Sequence, residues 1–443
     1  SDLPCFSNPR RPGMTPDLLF RNGTILHPED GTTREADLLL RDGRIARIGP
    51  SLSPDDASIP EVDVTGKMIS PGWMDMHVHF REPGYEHKET IATGARAAVA
   101  GGFTAVACMP NTDPPIHTRD VVEFILDRAE QTPIDVHPIA TVSKERAGTQ
   151  LAEMADLREG GAVAFSDDGS PVQHAGLMRR ALEYSSMLDA PIINHMEELT
   201  LNPDGHMHEG TVSARLGVGG IPALSEDVMI ARDVEIAAVT GGHVHVAHIS
   251  TARGVALVRE AKARGIHVTA EVCPHHFALT DEAVEATGFS THSKMHPPLR
   301  SAADVEAVIE GLKDGTIDAI CTDHAPHAPH EKDVEFTAAP FGILGLETAW
   351  GLVGRELIEP GHLTIAAAVH ALTVAPRRIL RLPVPVIEEG APAELTVFDT
   401  STRWAFTGEH VRSKSRNTPF VGDELIGKAH GVYCNGDWHP ADA

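Results

Sequence analysis

From about residue 69 to about residue 383 the chain alternates short apolar runs with stretches of helical periodicity. The apolar runs are ISPGWMDMHVHF, FTAVACMPN, IDVHPIATV, GAVAFSDDG, APIINHMEE, HVHVAHIS, HVTAEVCPHH and DAICTDHAPH. Between most of them lie helix-like segments such as KETIATGARAAVAGG, VVEFILDRAEQ, MRRALEYSSML and TARGVALVREAKARG. Short strands separated by amphipathic helices are the signature of parallel pairing. Eight such units predict an α/β fold, a closed (β/α)8 barrel of the TIM type. The flanks read differently. DLLFRNGTIL, DLLLRDG and RIARIG alternate with period two and carry Asn-Gly and Asp-Gly turn signals; AELTVFD and IGKAHGVYCNGDW do the same near the other end. These ends predict one small β-sandwich domain assembled from residues 14–68 and 384–443, around a barrel over 69–383. Residues 1–13, polar and Pro-rich, are expected to be a disordered extension.

The polar residues sit at the C-terminal ends of the apolar runs: His77 and His79, Asn111, Asp167 and Asp168, His195, His248, His275 and His276, Asp323 and His327. The C-terminal rim is where a barrel of this kind builds its site, so residues far apart in sequence converge on one mouth. In MDMHVHFREPG, alternation sends His77, His79 and Arg81 the same way. Its flanks are too apolar for an exposed edge, and two buried imidazoles on one face need a partner, for which a metal ion is the obvious choice. Alternation in HVHVAHIS places Val244, Val246 and His248 inward and His243 and His245 against the outer helices. In AICTDHAPH it points Asp323 inward with Ala319 and Cys321. For His195 a satisfied structural histidine is the competing reading. For Asp167 and Asp168 it is a turn or helix-cap pair, and alternation does not choose between the two. Four imidazoles and at least two carboxylates around one mouth suit Zn²⁺ or a similar divalent ion.

Composition narrows the partners. Lys plus Arg is 37 against 63 Asp plus Glu, a net charge of −26, which argues against nucleic acid or an anionic membrane. An anionic substrate would need its own local cation. No run approaches the roughly 20 apolar residues of a membrane helix, and no signal-peptide core is present, so a cytoplasmic location is expected. The five cysteines are scattered without a CxxC pair, as expected for free thiols in a reducing compartment.

PGWMDMHVHFREPGYEHKET, GGFTAVACMPNT, FSDDG, HISTARG, VTAEVCPHH, KMHPPLR, TDHAPH and APFGILGLET occur in that order from Pro71 onward, within a likeness that spans nearly the whole chain from about residue 17. Together they resemble the amidohydrolase superfamily, and within it the dihydroorotases of the bacterial class I type. The resemblance implies one metal on His77, His79 and Asp323, a second on His195 and His248, and Asp168 as the bridge where many relatives use a carboxylated lysine. One or two zinc ions per subunit are the implied cofactor, and Asp323 the implied proton carrier. Arg81, Asn111 and His327 are implied to hold the substrate carboxylate, with His296, Phe341 and Gly342 completing the substrate contacts. His296 departs from the usual asparagine, which touches the pyrimidine ring; an imidazole differs in shape and titration.

The implied reaction is reversible hydrolysis of dihydroorotate to N-carbamoyl-aspartate. Arg81 and Asn111 argue against the alternative of an allantoinase or hydantoinase. The full ligand set argues against a non-catalytic scaffold for aspartate transcarbamoylase. An active enzyme in complex with that transcarbamoylase, or a homodimer, is compatible with the sequence. The loop from about His327 to Phe341 is expected either to close over substrate or to be a plain surface loop.

Overall fold

The computed structural model describes residues 16–442, apart from 55, 202 and 203; the extension expected over 1–13 lies outside them. Each of the eight apolar runs forms a strand: β1 (Trp73–Val78), β2 (Phe103–Cys108), β3 (Asp135–Ala140), β4 (Ala164–Ser166), β5 (Ile192–Asn194), β6 (Val244–Val246), β7 (Val268–Val272) and β8 (Ala319–Ile320). They pair in parallel in that order. A single bridge closes the barrel: Val78 pairs with His324, and the His79 N–H donates to the His324 carbonyl at 2.9 Å.

Side-chain size decides which face of each strand meets which layer. Val106, Phe165, Ile192, Val244, Val246, Val268 and Val272 face outward and pack with helix residues such as Ala98, Ile125, Leu182, Val234 and Val258. Their neighbours Ala105, Ala107, Ala164, Ile193 and Ala319 face inward with Met74, Met76 and Cys321. Burying a branched side chain contributes about 1.5–3 kcal/mol, so the outer layer carries much of the stability. The intervening helices have local stop and start signals. Helix Ile91–Gly101 is capped by Thr90, whose hydroxyl accepts from the Thr93 N–H at 3.1 Å, and it ends on Gly102 at φ +90°.

This layering corrects the alternation expected in HVHVAHIS. Val244 and Val246 face the helices, so His245 points into the barrel. A run of valines is better buried against helices than inside a narrow barrel, whose interior here takes small residues. His248 nevertheless reaches the rim, because its backbone turns at φ +32° just after the strand.

The two chain ends meet in one eight-stranded sheet. Strand Leu395–Phe398 pairs antiparallel with Met68–Pro71 on one side and Ala429–Cys434 on the other; Leu18–Leu26, Thr33–Arg41 and Arg44–Gly49 continue it. The sheet rolls over its own core, which brings Phe20 within 5.1 Å of Trp438 although three strands separate theirs. Asp42-Gly43 and Asn435-Gly436 make the expected hairpin turns, with φ positive at all four residues. Asn22-Gly23 does not: it lies inside Leu18–Leu26 as a bulge, where pairing slips between Phe20 and Gly23. The sheet enters the barrel through Gly72, where a Cβ would lie 2.2 Å from the Thr104 hydroxyl. Arg377 donates to the Gly72 carbonyl at 2.7 Å and pairs with Glu394, fixing the junction. Among the described residues, no helix is long and apolar enough to cross a membrane.

Candidate active site

Asp168, at the end of β4, is the centre of the mouth. Its carboxylate lies 3.6 Å from His77 Nε2, 3.5 Å from His79 Nε2, 3.8 Å from His195 Nδ1 and 3.6 Å from His248 Nε2. Asp323, at the end of β8, lies 2.8 Å from His79 Nε2 and 3.5 Å from His77 Nε2. All six side chains are buried. The structure thus brings together every residue expected to hold metal.

Strict alternation would have opposed Met76, which is in the barrel interior, to His77. The pairing of β1 with β2 shifts between Asp75 and Val78, and this irregularity aims His77 and His79 at the same mouth. Asp167 is not part of the cluster. Its carboxylate accepts from the Val142 N–H at 2.9 Å, the Ser143 N–H at 3.1 Å and the Ser143 hydroxyl, a loop-capping role. Arg146, unremarked in the sequence, donates to the Asp168 carbonyl and to Ser170 Oγ at 3.1 Å, and so braces the turn that presents Asp168.

The donor set fits a cation. His77 Nε2 and Asp168 Oδ1 are buried with no hydrogen-bond partner, a costly arrangement for polar groups unless an ion satisfies them. Three overlapping groups have ligand atoms close enough to share an ion: His77, His79 and Asp168; His77, His248 and Asp323; Asp168, His195 and His248. Electrostatics agree. Burial pushes the Asp168 carboxyl up, but the charge of His77 and the imidazoles of His195 and His248 close by outweigh it and hold the carboxyl well below the usual range. Burial works against a charge on His77, yet Asp323, Glu271 and Asp168 raise its pKa well above the ordinary value. The field that favours a proton there also favours a metal cation.

The expected substrate contacts lie on one side of this cluster. Arg81, half-buried at φ +62°, donates to the Pro326 carbonyl at 3.2 Å; burial brings its pKa down to about 10. Asn111 accepts from His79 Nδ1 at 2.7 Å, leaving its NH₂ as a donor. His327 donates from Nε2 to the Phe341 carbonyl at 2.8 Å. Burial and the charges of Arg81, Lys332 and Lys88 hold its pKa below the ordinary value, so the ring is neutral. Gly342, at φ +148°, passes so close to this pair that a Cβ would lie 2.6 Å from the Ala325 carbonyl and 2.8 Å from the His327 ring. His296 sits between the rings of His195 (4.8 Å) and Phe341 (4.7 Å) and donates to Glu197 at 3.0 Å.

The loop between His327 and Phe341 is tied down. It carries a short helix, Pro329–Lys332. The Lys332 ammonium donates to the Thr291 and Pro340 carbonyls at 3.0 and 2.7 Å. Lys294 reaches back to the Phe336 and Thr337 carbonyls at 2.8 and 3.0 Å and lies over the Phe341 ring. His275 and His276, on the short helix Pro274–Ala278, form a separate group with Cys273.

Four residues the sequence reading passed over matter here: Glu271, which bonds His77; Glu197, which holds His296; Arg146; and Asn417, which clamps His327. Glu271 had a signal, since a lone acid inside the apolar run VTAEV has to be paired if buried. For Asn417, about ninety residues from its partners, no local pattern exists.

Comparisons with known proteins agree with the geometry. Residues 66–254 match the family described as Dihydro-orotase-like. A protein named dihydroorotase from Pelotomaculum thermopropionicum is 52% identical over 410 residues, 93% of this chain and 95% of its own. Another of that name from Syntrophus aciditrophicus is 49% identical over 414 residues, 93% of this chain and 96% of its own. Among solved structures, an L-hydantoinase (dihydropyrimidinase) from Arthrobacter aurescens superposes with a TM-score of 0.83 at 23% identity, covering 95% of each chain. A D-hydantoinase (dihydropyrimidinase) from Thermus sp. gives 0.78 at 25% identity over 96% of this chain and 95% of the other. The hydantoinase likeness carries the barrel and its end sheet; the identity to the named relatives over nine-tenths of the sequence carries more, and on it the chain belongs to the dihydroorotase family.

Proposed function

We propose that this chain catalyses the reversible, zinc-dependent opening of the cyclic amide of dihydroorotate to N-carbamoyl-aspartate, the ring-closing direction being a step of pyrimidine synthesis. The observation that carries this reading is one carboxylate, Asp168, within 3.8 Å of four imidazoles, with a guanidinium and a neutral imidazole beside it. His77, His79 and Asp323 would hold one ion, His195 and His248 a second, and Asp168 would bridge them. When bound, zinc supplies Lewis acidity, polarising an amide carbonyl and acidifying water near neutral pH.

The chain's own groups do the rest. Arg81 and the Asn111 NH₂ grip the substrate carboxylate with charge-assisted hydrogen bonds, and His327, whose one N–H goes to the Phe341 carbonyl, shapes the pocket beside them. Arg81 brings positive charge to the mouth of a chain whose net charge is −26. Gly342 and Phe341 wall the ring, and His296, anchored by Glu197, faces it from the other side. Asp323 accepts the proton of the attacking water and passes it to the departing ring nitrogen; in ring closure the same carboxylate runs the transfer backwards. Buried free thiols at Cys108, Cys273, Cys321 and Cys434 support a cytoplasmic location.

Zinc-loaded protein tested on L-dihydroorotate, by loss of ultraviolet absorbance, decides the reading. Hydantoin, dihydrouracil and allantoin are run beside it. Turnover confined to dihydroorotate is the expected result. Faster turnover of a neutral ring would transfer the chain to another cyclic amidohydrolase activity, and no turnover with metal bound would favour a scaffold role. Sizing with and without aspartate transcarbamoylase tests for a homodimer or a complex.

A further inference from the structure

Behind the mouth, the barrel interior holds a line of polar side chains that the reaction does not use. His77 Nδ1 lies 2.5 Å from Glu271 Oε1, and Glu271 Oε2 lies 3.1 Å from His245 Nε2. His245 Nδ1 lies 2.7 Å from the Thr269 hydroxyl, which is also 2.7 Å from His243 Nε2. Glu271, His245 and His77 are wholly buried and come from β7, β6 and β1.

Counting donors orders the line. A carboxylate only accepts, so His77 Nδ1 and His245 Nε2 both donate to Glu271. With the Nε2–H of His245 given to Glu271, its Nδ1 accepts a hydrogen bond from the Thr269 hydroxyl. Thr269 oxygen in turn accepts from His243 Nε2. One consistent arrangement results, and its last member at the mouth is His77 with a proton on Nδ1 and a lone pair on Nε2. That Nε2 atom is buried, faces Asp168 and Asp323, and has no hydrogen-bond partner.

We propose that Glu271 is a positioning residue for the metal centre: its carboxylate, held from the barrel interior by His245, fixes the tautomer and ring orientation in which His77 offers Nε2 to the cation. The proposal rests on the reading that His77 is a metal ligand. Such outer carboxylates typically contribute 10–100-fold in metal affinity.

Zinc affinity by chelator competition tests it with Glu271→Gln and Glu271→Asp, after circular dichroism has confirmed the fold. Glutamine keeps the reach and an acceptor oxygen but loses the charge. Aspartate keeps the charge but retracts it by one methylene. The expected result is that Asp weakens zinc binding by about 10–100-fold and Gln by clearly less. Equal affinities, or Asp binding more tightly than Gln, overturn the proposal. Should the Asp variant not fold, Glu271→Ala takes its place: zinc weakened by about 10–100-fold supports the proposal, and zinc retained at wild-type affinity overturns it. Wild-type protein and His77→Ala control the underlying reading. If His77→Ala binds zinc as the wild type does, the metal assignment falls and this proposal with it.

Discussion

Replacing Asn417 with alanine should cripple substrate binding without touching the metal. Asn417 is 1% exposed and comes from the distant stretch KSRNTPF. Its side-chain oxygen accepts from the His327 N–H at 3.0 Å, and its NH₂ donates to the carbonyls of Ala325 at 2.9 Å and Gly342 at 3.0 Å. The Gly342 bond completes the set. It thereby clamps together the two chain segments that carry His327 and Gly342. Alanine removes three hydrogen bonds whose net value is about 1 kcal/mol each, and strands one N–H and two carbonyls in a buried place, so about 3 kcal/mol is a lower bound. If that energy holds His327 and Gly342 in place, losing it weakens binding by roughly a hundredfold. Asn417→Asp should be worse, because a carboxylate would face two carbonyls. The assay is initial-rate kinetics on dihydroorotate over a range of concentrations, with zinc content and thermal unfolding measured on the same samples. The expected pattern is KM raised by about two orders of magnitude, a lower melting temperature and unchanged zinc. An unchanged KM would refute the clamp; loss of zinc would refute its confinement to the substrate side.

Further outcomes follow from the same geometry. Arg81→Gln should raise KM for dihydroorotate by about 10–100-fold, the loss of charge-assisted bonds worth about 1.5–3 kcal/mol; steady-state kinetics check it, and an unaltered KM would exclude Arg81 from the carboxylate grip. Asp323→Asn should retain the fold and much of the zinc yet lose turnover by orders of magnitude; near-wild-type turnover would remove Asp323 as proton carrier. Far from the mouth, the Asp399 carboxyl is held below its ordinary pKa: burial opposes this, but bonds from His430 at 2.8 Å, the Thr402 N–H at 2.8 Å and the Ser401 N–H at 3.0 Å prevail. A depressed carboxyl stabilises the fold fully above the unfolded value of about 3.9, and the gain fades as pH falls through the folded value. The stability difference between wild type and Asp399→Asn should therefore be constant at neutral pH and shrink below about pH 4, measured by denaturant titration at each pH; a flat difference would contradict the assignment.

Much of this protein was determined by local pattern. Eight apolar runs had to become eight strands, since no other arrangement buries them with helices between, and the chemistry at their ends had to meet at one rim. The four imidazoles and Asp323 were legible for that reason, and Arg81 because it follows His79 so closely in MDMHVHFREPG, although the strand itself ends at Val78. Tertiary structure decided what depends on packing across strands. It turned Val244 and Val246 toward the helices, which put His245 inside, and it bent the backbone at His248 to recover a ligand that alternation had reached for the wrong reason. It also separated Asp168 from Asp167, adjacent and identical in type, because only the second is claimed by the Val142 and Ser143 amides. Glu271 and Asn417 act on partners 194 and about 90 residues away. A sequence states which groups need a hydrogen-bond partner once buried; only the closed barrel states which partner is within 3 Å.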